Sequence, residues 1–230
     1  MVNPKTYFLK FSHRKKEASN VYSFFFEKDS NKIIFEPGQY MKVFLEIKNP
    51  DNRGSSRYFT ISENPLDQKY ISITTKVIRS SFKKTLMKLK KGGKVKFFGP
   101  IGTFLLNERR NKEKVFLAGG IGITPFHSTI KYFYEKKKHP KITLLASFSE
   151  KNSFVFMDEL LEIAKKDPGI IVVYKIGRID KKFILDNVLS LNNKEFYVVG
   201  PAKMVEDIFK VLKSMSVPDK NIFKEDFTGY

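Results

Sequence analysis

The chain has no cysteine among its 230 residues. That excludes a disulfide framework, a thiolate metal site, a cysteine-ligated iron–sulfur cluster and a cysteine nucleophile. Its three histidines, His13, His127 and His139, show no metal-ligand spacing, and no Ser-His-Asp arrangement stands out, so no metal is expected. His127 reads as packed or solvated rather than catalytic. No uninterrupted apolar run approaches a membrane span, and the opening MVNPKTYFLKF is not a signal peptide. The expectation is a soluble, cytoplasmic, monomeric chain without membrane insertion. Acids are also scarce: 24 against 43 basic residues, for a net charge of +19.

The deficit is uneven. Residues 1–110 carry 23 basic and 9 acidic side chains, and residues 111–230 carry 20 and 15. A basic excess suits nucleic acid, anionic lipid or an acidic protein, or is simply a lysine-rich solvated surface. The lysines are scattered among acids, with no arginine-rich tail and no familiar nucleic-acid motif, so no nucleic-acid partner is expected. The length fits one large domain or two small ones, and 41% hydrophobic content is that of a globular protein.

What the chain does have is a glycine-rich centre, Val115 to Phe126, read as VFLAGGIGITPF. An apolar strand meets Gly119, Gly120 and Gly122, and then Thr124 and Pro125 open an amphipathic segment. Proline suits a first helical turn. Glycines let the backbone turn sharply and approach a ligand, and free N–H groups at a helix start attract phosphate. The plainer alternative is that the glycines only allow close packing.

Before this centre the pattern is of short strands: Thr6–Phe11 and Val21–Phe26 with a charged turn between them, then Gln39–Ile47, Arg57–Ser62, Tyr70–Ile78 and Lys94–Phe98. Pro37-Gly38 and Gly99-Pro100 mark turns. One short helix, Ser80–Leu89, interrupts them. This predicts an antiparallel β-barrel over residues 1–108. After a charged linker near Asn107–Lys114, strands and helices alternate. The strands are Val115–Ala118, Ile142–Ser147, Ile170–Lys175, Glu195–Val199 and Asn221–Phe227. The helices are Pro125–Lys138, Phe156–Lys166, Lys181–Val188 and Pro201–Met215. This predicts an α/β domain with a parallel sheet over residues 109–230, binding ligands at the carboxyl ends of its strands.

Four stretches then line up: RYFT at Arg57–Thr60, GGIGITP at Gly119–Pro125, GPAKM at Gly200–Met204 and EDFTGY at Glu225–Tyr230. In this order and on these elements the chain resembles the ferredoxin–NADP reductase family, in a stand-alone form without an iron–sulfur domain. The resemblance implies FAD on the barrel and NADPH or NADH on the sheet. It implies that Arg57 pairs with the flavin pyrophosphate, as a bidentate guanidinium can. Tyr58 belongs to the same motif. Phe59 stands where the family's tyrosine packs on the isoalloxazine, and Thr60 directs its hydroxyl near flavin N5. Thr74 and Lys76 lie on a strand that contacts FAD. The N–H groups of Ser81, Phe82 and Lys83 suit the pyrophosphate, while a helix cap by Ser80 or Ser81 is the plainer role.

On the sheet, the resemblance implies that Gly120, Gly122, Thr124 and Pro125 hold the pyridine-nucleotide pyrophosphate, with Thr124 also facing the flavin. Ser147, Gly200, Pro201 and Met204 complete the cofactor contacts; Met204 is equally readable as helix core. Val199 stands where many relatives carry a cysteine. The terminal aromatics would lie over the flavin and yield to the nicotinamide, with Phe227 and Tyr230 as candidates and Glu225 contacting the nicotinamide amide or relaying a proton. Glu150 points to NADH; Lys151, Arg178 and the positive field around them point to NADPH.

The resulting expectation is an FAD-containing NAD(P)H reductase. Hydride passes to flavin N5 and electrons pass on to an acceptor, for which the basic barrel half suggests an acidic ferredoxin or flavodoxin. The same fold would also serve reduction of free flavin, ferric complexes, a quinone or a haem protein. A non-enzymatic reading is a basic binding module that has kept the fold without redox activity.

Overall fold

The computed structural model describes residues 3–28, 33–78, 80–104, 106 and 112–227. The chain divides into two compact units, Met1–Leu105 and Leu106–Tyr230, three residues before the expected border.

The first unit holds strands β1 (Lys5–Ala18), β2 (Val21–Glu27), β3 (Tyr40–Phe44), β4 (Ser56–Thr60), β5 (Tyr70–Lys76) and β6 (Lys94–Ile101), with helix α1 (Ser81–Met87) between the last two. They form one sheet in the order β4-β3-β6-β1-β2-β5, antiparallel throughout. An antiparallel bridge from Ile61 to Ile73 links the two ends of that order, the closure expected of a barrel. Period-two alternation explains the interior: Leu9, Phe11, Phe24, Phe26, Met41, Val43, Val95 and Phe97 all point inward and are buried. Phe26 and Phe97 meet edge to face at 4.8 Å, a favourable aromatic geometry.

One sequence expectation is corrected. The charged stretch after Phe11 is not a turn: β1 continues through it to Ala18, paired with β2 across a register shift between Phe11 and His13. Residues His13 to Lys16 are exposed in succession, so they lack the alternation that marks a half-buried strand.

The second unit alternates β7 (Glu113–Gly119), α2 (Thr124–Glu135), β8 (Ile142–Phe148), α3 (Met157–Lys166), β9 (Ile170–Ile176), α4 (Lys181–Asn187), β10 (Lys194–Gly200), α5 (Ala202–Ser214) and β11 (Ile222–Asp226). The sheet order is β11-β10-β7-β8-β9, all parallel. Central β7 reads as a continuous apolar run because both its faces are covered. Val115, Leu117, Phe196 and Val198 pack in one buried cluster with Ile208 and Leu212 of α5. Phe116 stacks on Phe126 of α2 at 4.3 Å and meets Tyr197 edge-on at 5.7 Å.

Candidate functional site

In the first unit, chemistry gathers where the loop before β4 meets α1. Asp51 is the hub. Its Oδ2 accepts the Ser81 N–H at 3.0 Å, its own N–H donates to Ser81 Oγ at 2.9 Å, and its Oδ1 accepts from Arg57 Nη2 at 2.8 Å. Desolvation pushes the Asp51 carboxyl up, but the hydrogen bonds from Ser81 and Arg53 and the Arg57 charge outweigh it and hold it at about 2.

Arg57 Nη1 is spent on the carbonyls of Arg53, Gly54 and Ser56. Its guanidinium lies over the Phe82 ring at 5.3 Å. The remaining nitrogen, Nε, is buried without a hydrogen-bond partner, an uncommon and costly state for a buried donor. Lys83 is buried beside it. Desolvation, then the charges of Arg53 and Arg57, lower its pKa to about 8. The cluster is thus rich in compressed positive charge and has a donor to spare.

The other barrel residues of interest take distinct places. Phe59 is a core residue, opposite Met41 in the sheet and 5.8 Å from the Phe82 ring. Tyr58 points the other way and is 57% exposed. Thr60 closes β4, nearly buried, opposite Tyr40. The Thr74 hydroxyl sits in a buried network with Ser23 and Ser62, both at 2.7 Å. Lys76 is half-buried at the end of β5, opposite Val21. Ser80 is the α1 cap: its Oγ accepts the Lys83 N–H at 3.4 Å. Two of the three N–H groups expected to face a pyrophosphate, those of Ser81 and Lys83, therefore already have protein acceptors.

In the second unit, the expected site residues fall at the carboxyl ends of β7, β8, β9, β10 and β11. Between β7 and α2 the chain makes a single 3₁₀ turn, Gly120–Ile123. The three glycines around it have separate causes. A Cβ at Gly122 would strike the Val199 carbonyl, and one at Gly119 would strike Met204 Sδ. These two are packing glycines, and Met204 is the side chain that fills the space over Gly119 and Gly200. Gly120 differs: its φ is +53°, and a Cβ there would meet nothing within 4 Å. Its glycine is required by the left-handed backbone, and the space above it is open.

Thr124 Oγ1 donates to the Ile121 carbonyl at 3.1 Å and is buried, as is Pro125 in the first turn. Neither α2 nor α5 has a side-chain cap or an acid in its first turn. By contrast α3 begins with Asp158 and Glu159, and α4 is capped by Asp180. The first turns of α2 and α5 thus carry no acid and no side-chain cap, and at α2 the Thr124 N–H donates instead to the Ile121 carbonyl of the preceding 3₁₀ turn. Gly200 and Pro201 lead into α5, and the Ser147 hydroxyl donates to the Ala118 carbonyl at 3.4 Å. Lys151 and Arg178 are exposed. Glu150 caps the short turn Lys151–Ser153, its carboxylate taking a backbone N–H there.

Glu225 lies opposite Val199 in the β10–β11 pairing. Its Oε2 is buried and has no hydrogen-bond partner. Desolvation, then the neighbouring Asp226 charge, raise its pKa to about 7. Phe227 continues the pairing by donating its N–H to the Gly200 carbonyl at 3.0 Å. Tyr230 lies outside the described residues. His127 is buried, stacked on Phe156 at 3.8 Å and 2.7 Å from Glu159 Oε2, a packed role. Among the described residues no group of three or more His, Asp and Glu could hold a metal, and no helix is long and apolar enough to cross a membrane. Sequence reasoning missed Asp51, which looked like an ordinary loop residue.

Comparison with known proteins agrees with this division. Residues 9–105 match the family described as Oxidoreductase FAD-binding domain, and residues 116–210 the family described as Oxidoreductase NAD-binding domain. Flavohemoprotein A of Dictyostelium discoideum is 28% identical over 230 residues, covering 92% of this chain and 57% of that protein. The toluate 1,2-dioxygenase electron transfer component of Pseudomonas putida is 25% identical over 211 residues, covering 86% of this chain and 60% of that one. The solved ferredoxin-NADP+ reductase from Plasmodium falciparum has a TM-score of 0.78 at 18% identity, covering 98% of this chain and 97% of that one; at that identity the likeness is one of fold. The chain spans about three-fifths of the length of the first two relatives.

Proposed function

This chain belongs to the oxidoreductases that join an FAD-binding domain to an NAD-binding domain, and from that premise we propose that it is an NAD(P)H reductase delivering electrons through FAD to a separate acceptor of acidic surface. The observation that carries the reading is the orphaned Arg57 Nε beside the buried Lys83. A pyrophosphate would give that donor its acceptor and would offset the charge that burial compresses on Lys83. The residues present fit the cofactor.

When bound, FAD supplies the hydride acceptor and the stepwise release of electrons. The chain supplies position and charge. Arg57 holds the pyrophosphate through Nε, and Asp51, by fixing Nη2, sets the angle of the guanidinium. Phe59 and Phe82 back that site from the core. Thr60 offers its hydroxyl at the end of β4. On the sheet, Gly120 leaves room for the nucleotide backbone, and the start of α5, without a side-chain cap or an acid, favours its phosphates. Glu225 holds a proton at a buried oxygen near neutral pH, where a nicotinamide amide or a relayed proton can use it. Lys151 and Arg178 are the groups for a 2′-phosphate. With the Glu150 carboxylate engaged in its own turn, NADPH is the favoured nucleotide.

The positive barrel half supports an acidic electron carrier as acceptor. The likeness to a flavohemoprotein favours a second acceptor class, a haem protein. The test is retention: apoprotein incubated with FAD and desalted should keep about one flavin per chain, and Arg57→Lys should lose it on the same column. A wild-type chain that keeps no flavin would leave the non-redox binding module in its place.

A further inference from the structure

The outward face of the barrel sheet has an organisation that cofactor binding does not use. Register places its side chains. Lys42 on β3 lies opposite Tyr58 on β4 and Phe98 on β6. Phe44 lies opposite Ser56 and Lys96. Phe8 on β1 lies opposite Lys96, and Lys94 lies opposite Lys10. Directly opposed residues share a face, so four neighbouring strands present lysines and aromatic rings in alternation.

The lysines are not loose. Lys42 Nζ sits 5.3 Å from both the Phe44 and the Tyr58 ring centres, and Lys96 Nζ sits 4.9 Å from that of Phe44. Cation–π contact holds the ammonium groups flat against the sheet. Two rings stand well into solvent, Phe8 at 61% and Tyr58 at 57% exposure, with Phe98 at 37%. The outward positions of β3, β4, β6 and the part of β1 paired with β6 contain no acid among the described residues; Glu27, opposite Lys10, and Glu46, just past β3, mark the borders.

We propose that this face is a docking surface for the acidic surface of a partner protein, met transiently. Charge decides the sign of the partner. Size decides the lifetime: four strands about 4.8 Å apart and some five residues long give a footprint on the order of 300 Å², below the roughly 800 Å² per partner of a stable interface. A second copy would set lysine against lysine. Ammonium groups already fixed on rings lose little freedom on docking, and the exposed rings give apolar contact between carboxylates. The proposal rests on the acidic-acceptor part of the function proposed above.

The test uses the FAD-loaded chain and two acidic probes, a plant-type ferredoxin and poly-L-glutamate, with titration at low salt. The triple variant K42E/K94E/K96E reverses the face; K136E/K166E/K220E makes the same change of charge on the second unit. The face variant should weaken binding to both probes by at least about tenfold, and the control by less than about twofold. Equal losses from the two variants, or no wild-type binding to either probe, would overturn the proposal. So would tighter wild-type binding to phosphatidylserine vesicles or to an oligo-dT strand, which would make the face a lipid or nucleic-acid surface. NADPH-driven reduction of ferricyanide and of the ferredoxin separates the two claims. Ferredoxin reduced equally by both variants keeps the acidic acceptor and removes this face; ferricyanide reduced and ferredoxin untouched removes the acceptor and, with it, the redox role of the face.

Discussion

Asp51 and Ser81 hold each other from both sides: the Ser81 N–H donates to Asp51 Oδ2 at 3.0 Å, and the Asp51 N–H donates to Ser81 Oγ at 2.9 Å. This double link ties the loop before β4 to the start of α1, and Arg57 hangs from it. The Asp51 carboxyl is held at about 2 when folded, below its ordinary 3.8. A depressed carboxyl stabilises the fold above its unfolded pKa and loses that contribution as pH falls through its folded one. Asp51→Asn should therefore melt below wild type at neutral pH, and the gap should close between about pH 4 and pH 2. A gap of constant size down to pH 2 would mean the charge is not what holds the loop.

The glycines of the β7–α2 turn should separate by experiment. Gly122→Ala meets the Val199 backbone, which cannot move aside without breaking β10, so loss of soluble folded protein or a fall of several kcal/mol is expected. Gly120→Ala should fold, at a cost of about 1–2 kcal/mol for the left-handed backbone, and lower NADPH affinity. Gly119→Ala should be rescued by adding Met204→Ala, because the obstacle is a flexible side chain. Melting curves with and without NADPH separate the cases. Unchanged nucleotide affinity in Gly120→Ala would take that residue out of the site.

Glu225 predicts the opposite pH trend to Asp51. Its pKa is raised to about 7 from 4.5 by burial and Asp226. The fold therefore favours the neutral acid and loses stability as pH rises from the unfolded value through the folded one. Glu225→Gln should match wild type near pH 4 and exceed it above pH 7, by at most about 2 kcal/mol after discounting for partial exposure. A variant whose advantage does not grow with pH would show that the carboxyl finds a partner or water.

Nucleotide preference should follow the exposed cations after β8 and β9. NADPH should be used in preference to NADH in steady-state rates, and K151E/R178E should reduce that preference by about tenfold while sparing the NADH rate. Equal loss with both nucleotides would place these residues at a contact other than the 2′-phosphate.

Much of this was legible in the sequence, for physical reasons that also explain the remainder. The second unit declared itself because buried parallel strands are unbroken apolar runs and their helices carry one apolar face, as Val115–Ala118 and Pro201–Met215 do. The sequence pattern ends β1 early because Ser12 to Ala18 lack the alternation of a half-buried strand. The motif singles out Arg57, but nothing in the sequence singles out Asp51, since only the fold brings residue 51 to residue 81. The same holds for Gly122, whose reason is Val199, and for Met204 over Gly119. The barrel's charge excess was plain in composition; its arrangement into a lysine–aromatic face needed the register of four strands.

The most direct test of the central claim is an anaerobic absorbance spectrum of the FAD-loaded chain before and after addition of NADPH, then NADH. The account predicts that the oxidised flavin bands bleach with NADPH and return when ferricyanide is added. Flavin that stays bound and oxidised in the presence of both nucleotides would contradict it.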